Sequence, residues 1–301
     1  MRYTPLFLRI LVDRFVSKSR FRQYREDMER LWADPELKET YGEELAEVMR
    51  TGEVRMINLP YTKEYSPKKV AVLQEDGFRY VMLNGKRLYY PRVWKKAEIK
   101  FYHNLLLSEM DARSPHCYLT DSFQVEENSV LVDLGGAEGF FALLNIEPVR
   151  HAYVFECDPL WEEPLKKTFA PWKDKVTIVP KYIGERITDT ETTFDAFLKE
   201  ENLTGEHLFV KCDIEGAEEA FLRGADEALS GEDMDLAVCL YHRKEAEQNI
   251  KEVMEKKGAS YTVAPGYLFP AGFEKKLAFP CFRRGIMRCK IRNGGGKTNS
   301  L

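Results

Sequence analysis

Short apolar runs alternate with helix-like stretches from residue 128 onward, and this pattern constrains the fold more than any other feature. The runs are rich in β-branched residues and read SVLVDL, HAYVFE, VTIVP, HLFVKCD and LAVCLY. Helical patterns such as AEEAFLRGADEAL and KEAEQNIKEVMEKK lie between several of them. Such alternation is typical of a parallel sheet with helices on both faces. We therefore predict an α/β, doubly wound, mostly parallel sheet, which SYTVAP and RRGIMRCKI close with a final antiparallel pair.

The first 110 residues follow a different pattern. Residues 1–50 read as helix with an interruption at Gly42, and the pairs Asp76-Gly77 and Asn84-Gly85 are strong hairpin signals. The stretch VWKKAEIKFYHNLLLSEMDA is again helical in pattern. The sequence thus predicts three parts, which are an N-terminal α+β extension over 1–110, the sheet domain over 111–292 and a flexible tail over 293–301.

Composition narrows the function classes. The net charge of −4 argues against a general nucleic-acid binder, which needs a basic surface. The six cysteines form no C-x-x-C pair, which favours a reducing, cytoplasmic compartment and no disulfide or zinc framework. No apolar run approaches the roughly 20 residues of a membrane-spanning helix, and the N-terminus lacks the features of a signal peptide.

Residues 1–25 carry seven basic residues and one acid, with Phe7, Leu11 and Phe15 at helical spacing. Such a helix either packs its apolar face on the rest of the protein or lies on an anionic membrane surface. We favour packing on the protein.

The turn after the first strand is the predicted binding site. In open α/β sheets, ligands bind beyond the carboxyl ends of the strands. Here the sequence from Asp133 to Gly139 reads DLGGAEG, in which Gly135 and Gly136 permit a tight turn close to a ligand and Gly139 permits close packing of helix and strand. The spacing fails the dinucleotide fingerprint, and the acids Asp133 and Glu138 are unfavourable beside a pyrophosphate. A cationic ligand without phosphates, such as S-adenosylmethionine, fits better.

The end of the second strand supports this cofactor. Glu156 follows Gly139 by 17 residues, where an acid can accept hydrogen bonds from both ribose hydroxyls. We predict cofactor contacts from this acid, its neighbour and the turn, namely Asp133, Gly135, Gly136, Ala137, Glu138, Gly139, Glu156 and Cys157. The alternative is a purely structural turn with a surface glutamate.

Over residues 112–291 the chain resembles the FkbM family of S-adenosylmethionine-dependent methyltransferases. The resemblance lies in VDLGGAEGFF, VFECDP, TTFDAFL, KCDIEGAEEAFLRGA and LAVCLYHR, and it is most specific from Lys211 to Glu218. It implies a Rossmann-like class I methyltransferase fold and methyl transfer to a hydroxyl, often of a sugar or secondary metabolite. The chain departs from the family where an alanine-asparagine pair is replaced by Gly136-Ala137.

Two residues at strand ends are the candidate catalytic groups. Asp213 ends a buried strand, where a charge must be paired or used. His242 ends the next strand, and histidine is suited to accept a hydroxyl proton near neutral pH, although a structural histidine is an equal alternative. A divalent metal on Asp213 and Glu215 is a lesser option, and we expect none.

Other residues near these strand ends have weaker assignments. Glu218 and Glu219 can also serve the start of a helix, and we favour that role for Glu219. His116 lies before the first strand and can line the adenosine or acceptor pocket, whereas His103 reads as a surface residue. Nine aromatic residues that precede the first of these strands form either a sugar-stacking wall or, as we favour, an ordinary core. They are Phe78, Tyr80, Tyr89, Tyr90, Trp94, Phe101, Tyr102, Tyr118 and Phe123.

The predicted function is therefore an S-adenosylmethionine-dependent O-methyltransferase (EC 2.1.1 class) that acts on a hydroxyl of a sugar, glycan precursor or secondary metabolite. The alternative is a non-catalytic S-adenosylmethionine-fold module that binds a partner. A nicotinamide oxidoreductase is disfavoured by the failed phosphate fingerprint. No nucleic-acid partner is expected.

Overall fold

The N-terminal part begins with two helices in the computed structural model, which describes residues 22, 24–270 and 281–292. Helix α1 covers residues 24–33, and helix α2 covers Pro35–Thr51. The Asp34 side chain caps α2 because it accepts hydrogen bonds from the amides of Glu36 and Leu37. The predicted interruption near Gly42 is confirmed as a kink at its neighbour Tyr41, whose backbone (φ −118°, ψ 22°) is not helical.

The two predicted hairpins are confirmed. Strands β1 (Leu73–Glu75), β2 (Phe78–Leu83) and β3 (Lys86–Tyr90) form an antiparallel sheet. Both residues of each connecting turn have positive φ, which matches the twist of the flanking strands. Two 3-10 helices, Pro60–Glu64 and Pro67–Lys69, precede the hairpins, and α3 (Lys96–Glu109) follows them.

A seven-stranded sheet forms the centre of the fold. Its strands are β4 (Val130–Leu134), β5 (His151–Phe155), β6 (Val176–Val179), β9 (His207–Cys212), β10 (Asp233–Cys239), β11 (Ser260–Val263) and β12 (Ile286–Ile291). They lie in the order β11-β12-β10-β9-β4-β5-β6. All neighbours are parallel except β12, which is antiparallel to both β10 and β11. The predicted fold class, a doubly wound and mostly parallel sheet with a final antiparallel pair, is confirmed.

Helices and two short strands lie in the connections between the strands of the central sheet. The helices are α4 (Phe140–Leu144), α5 (Glu162–Phe169), α6 (Phe194–Glu200), α7 (Glu218–Arg223), α8 (Ala228–Gly231) and α9 (Ala246–Lys256). Strands β7 (Tyr182–Gly184) and β8 (Glu191–Thr193) pair with each other in a separate sheet. Within the described ranges, no helix is long and apolar enough to cross a bilayer.

The two faces of the central sheet bury separate hydrophobic clusters. Successive residues of β4 alternate between them, because side chains along a strand point to opposite faces. Leu131 packs in the cluster that contains Tyr90, Trp94 and Tyr102 of the N-terminal part, whereas Val130 packs in the other. The N-terminal part therefore covers one face of the sheet and shares its core. The division of the chain at residue 110 stays a prediction.

Most of the aromatic residues that precede the sheet belong to this core. Seven of the nine are buried, namely Phe78, Tyr89, Tyr90, Trp94, Tyr102, Tyr118 and Phe123, so the core interpretation is confirmed for these. His103 is a correction, since it is only 2% exposed and its ring nitrogen Nδ1 bonds to the Tyr90 hydroxyl at 2.8 Å. Burial lowers the pKa of His103 to about 4. The basic helix predicted over residues 1–25 and the predicted tail lie almost entirely outside the described residues.

Candidate functional site

The predicted site residues converge at the carboxyl ends of four adjacent strands. Strands β5, β4, β9 and β10 are consecutive neighbours and parallel. The glycine turn follows β4, Glu156 follows β5, Asp213 follows β9 and His242 lies shortly after β10. One edge of the sheet therefore presents them all, as expected for a crevice in an open α/β sheet.

Close contacts with the protein's own backbone and side chains require glycine at the first two glycine positions of the turn. A Cβ at Gly135, whose φ is +75°, would lie 1.9 Å from the carbonyl oxygen of Asp213. A Cβ at Gly136 would lie 2.3 Å from Cγ1 of Val154. The amides of both glycines also donate to the carbonyl of Phe155. The turn thus packs closely against the ends of β5 and β9, and Gly135 and Gly136 permit this packing.

The last glycine of the turn packs closely against a helix, whereas the prediction had helix and strand packing there. Gly139 has a φ of +82°, and a Cβ there would lie 2.7 Å from the Phe169 ring and 2.9 Å from the Leu165 side chain, both on α5. Ala137, by contrast, has a side chain although its φ is +44°. Left-handed backbone is strained for an alanine, so this position carries local strain.

Glu156 holds the glycine turn in place. Its Oε2 accepts a hydrogen bond of 2.8 Å from the Ala137 amide, and its Oε1 accepts one of 2.7 Å from the Asp158 amide. Partial burial raises the pKa of the Glu156 carboxyl. A carboxylate has about four acceptor positions, so the two backbone bonds leave capacity for two hydroxyl donors. This capacity fits the ribose of a nucleoside cofactor.

Cys157, the neighbour of Glu156, is half-buried. Burial raises the pKa of its thiol to about 11, so the side chain stays neutral. A neutral, polarisable thiol at this strand end is compatible with contact to an apolar ring.

Asp133 does not face the crevice as a free carboxylate. It is fully buried, and its Oδ1 lies 3.0 Å from the ammonium of Lys211 in the adjacent strand. Lys211 also donates to the Gly135 carbonyl at 2.8 Å. Burial lowers the pKa of Lys211, but the charge of Asp133 outweighs that effect and raises it, so the ion pair persists. These contacts argue against the direct cofactor contact predicted for Asp133.

Glu138, like Asp133, is buried in a contact within the protein. It is 4% exposed and accepts a 2.5 Å hydrogen bond from the hydroxyl of Tyr102 on α3. Burial raises the pKa of Glu138 to about 7, because a buried carboxylate loses its hydration. The contact joins the glycine turn to the N-terminal part, and it gives the predicted binding residue Glu138 a structural function.

Asp213 is an anion with several partners. Its Oδ2 accepts a 2.7 Å hydrogen bond from Tyr118, and its Oδ1 lies 3.4 Å from the Tyr241 hydroxyl. Burial alone raises the pKa of the Asp213 carboxyl. The contact with His116 and the charges of His242 and Lys211 outweigh burial and hold that pKa well below its usual range. A carboxylate stabilised in this way is a weak base.

His242 is a cation rather than a neutral imidazole. Its Nδ1 lies 2.7 Å from Oε1 of Glu218, and its Nε2 lies 3.5 Å from Asp213 and 3.7 Å from Glu215. Burial lowers the pKa of His242, but the charge and hydrogen bond of Glu218 outweigh it and raise that pKa to about 9. A protonated imidazole has no lone pair for a substrate proton. These contacts therefore argue against His242 as the base.

Glu218 fixes the loop between β9 and α7. Its Oε1 accepts from the amides of Ile214 and Gly216 at 3.2 Å each, as well as from His242. Glu219 instead accepts from the Asn249 side chain of α9 at 3.1 Å. The helix-start role considered for Glu218 is thus only part of its function.

The metal option fits this arrangement poorly. Asp213, Glu218 and His242 offer ligand atoms that lie within 4.8 Å of one another. However, the Glu218 oxygen already accepts three hydrogen bonds and the His242 ring is protonated. Metal ligands must be unprotonated and free to coordinate. The set suits a hydrogen-bond network better than a divalent cation on Asp213 and Glu215.

Sequence reasoning missed the roles of three residues of the site. Tyr118 and Tyr241 contact Asp213, and Lys211 neutralises Asp133. His116, which was predicted to line the pocket, lies 3.6 Å from Asp213. A lysine inside an apolar strand is a detectable signal, because a buried charge needs a partner. The two tyrosines carry no comparable signal.

Residues 155–261 match the family model of the Methyltransferase FkbM domain. The resemblance to this family is confirmed over that segment, which contains Glu156, Asp213 and His242. No curated protein matches the sequence.

Several solved structures share the fold at low similarity. Methyltransferase FkbM from Methylobacillus flagellatus is 15% identical with a TM-score of 0.43, and the match covers 64% of this chain and 54% of that one. A SAM-dependent methyltransferase from Aquifex aeolicus is 12% identical with a TM-score of 0.37, covering 62% and 93%. Trm5b from Pyrococcus abyssi is 12% identical with a TM-score of 0.38, covering 73% and 62%. The chain thus spans about half of the FkbM structure, and these likenesses say nothing about its substrate.

Proposed function

We propose that this chain, whose residues 155–261 match the Methyltransferase FkbM domain, is an S-adenosylmethionine-dependent methyltransferase that acts on a hydroxyl group. The observation that carries the proposal is the Glu156 carboxylate. It lies at the end of β5 and accepts a hydrogen bond from the Ala137 amide of the glycine turn. It can still accept hydrogen bonds from two hydroxyl groups. This is the arrangement that the ribose of a nucleoside cofactor requires.

The charges around the crevice favour a cationic cofactor over a dinucleotide. Glu156, Asp213 and Glu215 are acids at the strand ends. Asp133 is instead paired with Lys211, and Glu138 is buried against Tyr102. A pyrophosphate would meet the strand-end carboxylates, whereas the ammonium and sulfonium groups of S-adenosylmethionine are attracted to them. When it is bound, this cofactor supplies an electrophilic methyl group.

The chain's own residues would orient the acceptor and exclude water. Positioning of the acceptor oxygen in line with the methyl group can contribute roughly 7–11 kcal/mol to the rate. Resemblance to the FkbM family favours a hydroxyl of a sugar, glycan precursor or secondary metabolite. The net charge of −4 favours such small acceptors over nucleic acid.

Titration calorimetry tests the cofactor directly. We expect the full chain to bind S-adenosylmethionine and S-adenosylhomocysteine and to show no heat with NAD. Binding of NAD alone would overturn the proposal in favour of an oxidoreductase.

A mass-spectrometric screen tests the transfer step. The chain is incubated with S-adenosylmethionine and a panel of nucleotide sugars and glycan fragments, and a mass increase of one methylene is sought in each. We expect at least one hydroxyl acceptor to be methylated. Cofactor binding without transfer to any acceptor would favour the alternative, a non-catalytic module that binds a partner through the S-adenosylmethionine fold.

A further inference from the structure

His116 is a second histidine at the crevice, and it lies on the segment that precedes β4. Its Nε2 lies 3.0 Å from the Tyr241 hydroxyl and 3.6 Å from Oδ2 of Asp213. The residue is 4% exposed. It therefore contacts the carboxylate that ends β9, at the edge of the sheet where the cofactor is proposed to bind.

The backbone around His116 is held by the last strand. The Arg288 guanidinium of β12 donates to the carbonyls of Cys117 at 2.6 Å and Tyr118 at 2.8 Å. On the other side, a Cβ at Gly285 would lie 1.8 Å from the Pro115 carbonyl, so the two backbones are in direct contact. The backbone that carries His116 is thus held on both sides.

The neighbours of the ring select one tautomer. The Tyr241 hydroxyl donates to Asp213, so its oxygen is left to accept from Nε2 of His116 at 3.0 Å, and the Asp213 anion 3.6 Å away also favours a proton on that nitrogen. With Nε2 protonated, Nδ1 carries the lone pair. This Nδ1 is buried and has no hydrogen-bond partner among the described residues. Buried polar nitrogens are nearly always satisfied, so an unpaired one at a ligand site points to a bound group that completes it.

The other groups that face His116 leave it as the proton acceptor. Tyr118 and Tyr241 donate toward Asp213, and burial raises the pKa of both phenols well above its usual value. Cys239, whose sulfur lies within 4.8 Å of ligand atoms of His116 and Asp213, is likewise a neutral thiol because burial raises its pKa. His242 already forms a hydrogen bond with Glu218.

We propose that His116 is the general base of the methyl transfer, with Asp213 as the residue that orients it. This assignment rests on the proposed function. Nδ1 takes the proton of the acceptor hydroxyl while the oxygen bonds to the methyl carbon and the carbon–sulfur bond breaks, leaving its electron pair on sulfur. The products are the methyl ether, S-adenosylhomocysteine and an imidazolium that the Asp213 carboxylate stabilises, in the way that a carboxylate supports histidine in hydrolase triads.

The tautomer of His116 is measurable without an acceptor. The chain contains five histidines, so long-range proton–nitrogen correlation spectra of histidine-labelled protein are tractable, and the His116 signals are those lost in His116→Gln. We expect Nε2 to carry the proton and Nδ1 to be unprotonated at neutral pH. A proton on Nδ1 would overturn the assignment.

Turnover is measured with S-adenosylmethionine and the best acceptor of the screen. His116→Gln keeps a polar group near Tyr241 but lacks the lone pair of Nδ1, so kcat should fall by about 100- to 10,000-fold while cofactor affinity stays close to wild type. His116→Ala should regain part of its turnover in added imidazole, which a merely structural role does not produce. The matched control His151→Gln, at the opposite end of β5, should leave kcat unchanged.

The outcomes separate the two proposals. If wild type transfers methyl groups and His116→Gln keeps full turnover, the base assignment alone fails. If wild type does not bind S-adenosylmethionine in calorimetry, the proposed function fails and the base assignment fails with it.

Discussion

Glu218 holds His242 through a hydrogen bond of 2.7 Å between two side chains that are each 2% exposed. This bond, together with Asp213 and Glu215, raises the pKa of His242 to about 9, from 6.5. A histidine whose pKa is raised on folding stabilises the fold fully below its unfolded pKa, and that contribution is lost as pH rises through the folded pKa. The stability of the protein should therefore fall between pH 6.5 and 9.

We expect His242→Asn to abolish this component of the pH dependence. Asparagine can still donate to Glu218 but carries no charge, so the variant should lose about 3 kcal/mol at pH 6 relative to wild type, and much less above pH 9. Urea unfolding at a series of pH values measures the difference. The control His151→Asn should retain the wild-type decline, and an unchanged decline in His242→Asn would show that the histidine is not charged.

A second pH-dependent residue is Glu138, whose pKa is raised from 4.5 to about 7. For an acid with a raised pKa the folded state binds the extra proton, so stability falls as pH rises from 4.5 to 7. Glu138→Gln should remove this penalty and stabilise the protein by about 3 kcal/mol at pH 8, since glutamine can still accept from Tyr102. Thermal melts at pH 5 and pH 8 measure the effect. The exposed control Glu200→Gln should change neither value.

The fold was predictable because its signals are local. Each apolar run overlaps the strand that forms there, although β10 begins at Asp233, before the run LAVCLY, and both hairpin turns follow from the residues Asp76-Gly77 and Asn84-Gly85. The interruption of the first helical stretch was predictable in the same way, since the non-helical residue Tyr41 is the direct neighbour of Gly42, and a glycine weakens a helix by about 1 kcal/mol.

The site was only partly predictable, because the state of a charge depends on partners that are distant in sequence. The strand-end positions of Glu156 and Asp213 follow from the pattern of strands, whereas His242 lies beyond β10, which ends at Cys239. The pairing of His242 with Glu218 and of Asp133 with Lys211 is a tertiary contact, and it decides which group is protonated. His103 was misplaced for the same reason, since its partner Tyr90 lies on a hairpin that the helical pattern cannot indicate.

Ala137 offers a test of strain in the glycine turn. Its φ of +44° is unfavourable for a residue with a Cβ, by roughly 1–2 kcal/mol, and asparagine and glycine tolerate this region better. Both Ala137→Asn and Ala137→Gly keep the amide that donates to Glu156. We expect each to raise the free energy of unfolding by about 0.5–1 kcal/mol. A loss of stability in both variants in urea titrations would mean that the turn is not strained.

Gly135 and Gly205 form a matched pair for the turn. Both have positive φ, +75° and +83°, but a Cβ at 135 meets the Asp213 carbonyl at 1.9 Å whereas one at 205 meets nothing within 4 Å. Gly205→Ala should cost about 1 kcal/mol of backbone strain. Gly135→Ala should cost several kcal/mol more, because two strand ends must separate. Similar losses in both variants would show that the contact between the turn and β9 is loose.

Glu156 links the stability of the turn to cofactor binding. Glu156→Ala leaves the amides of Ala137 and Asp158 without their acceptor, so this variant should lose stability as well as affinity. Glu156→Gln keeps one acceptor oxygen and most of the volume, and it is therefore the better probe of the ligand. We expect its affinity for S-adenosylmethionine to fall by about 1.5–3 kcal/mol, the scale of lost charge-assisted hydrogen bonds, with a smaller loss of stability than in Glu156→Ala.

Calorimetry gives the affinity and urea unfolding gives the stability, with Glu200→Gln as the exposed control. Unchanged affinity in a folded Glu156→Gln would remove this carboxylate from the binding site, and the glycine turn would then be held by Glu156 for structural reasons alone.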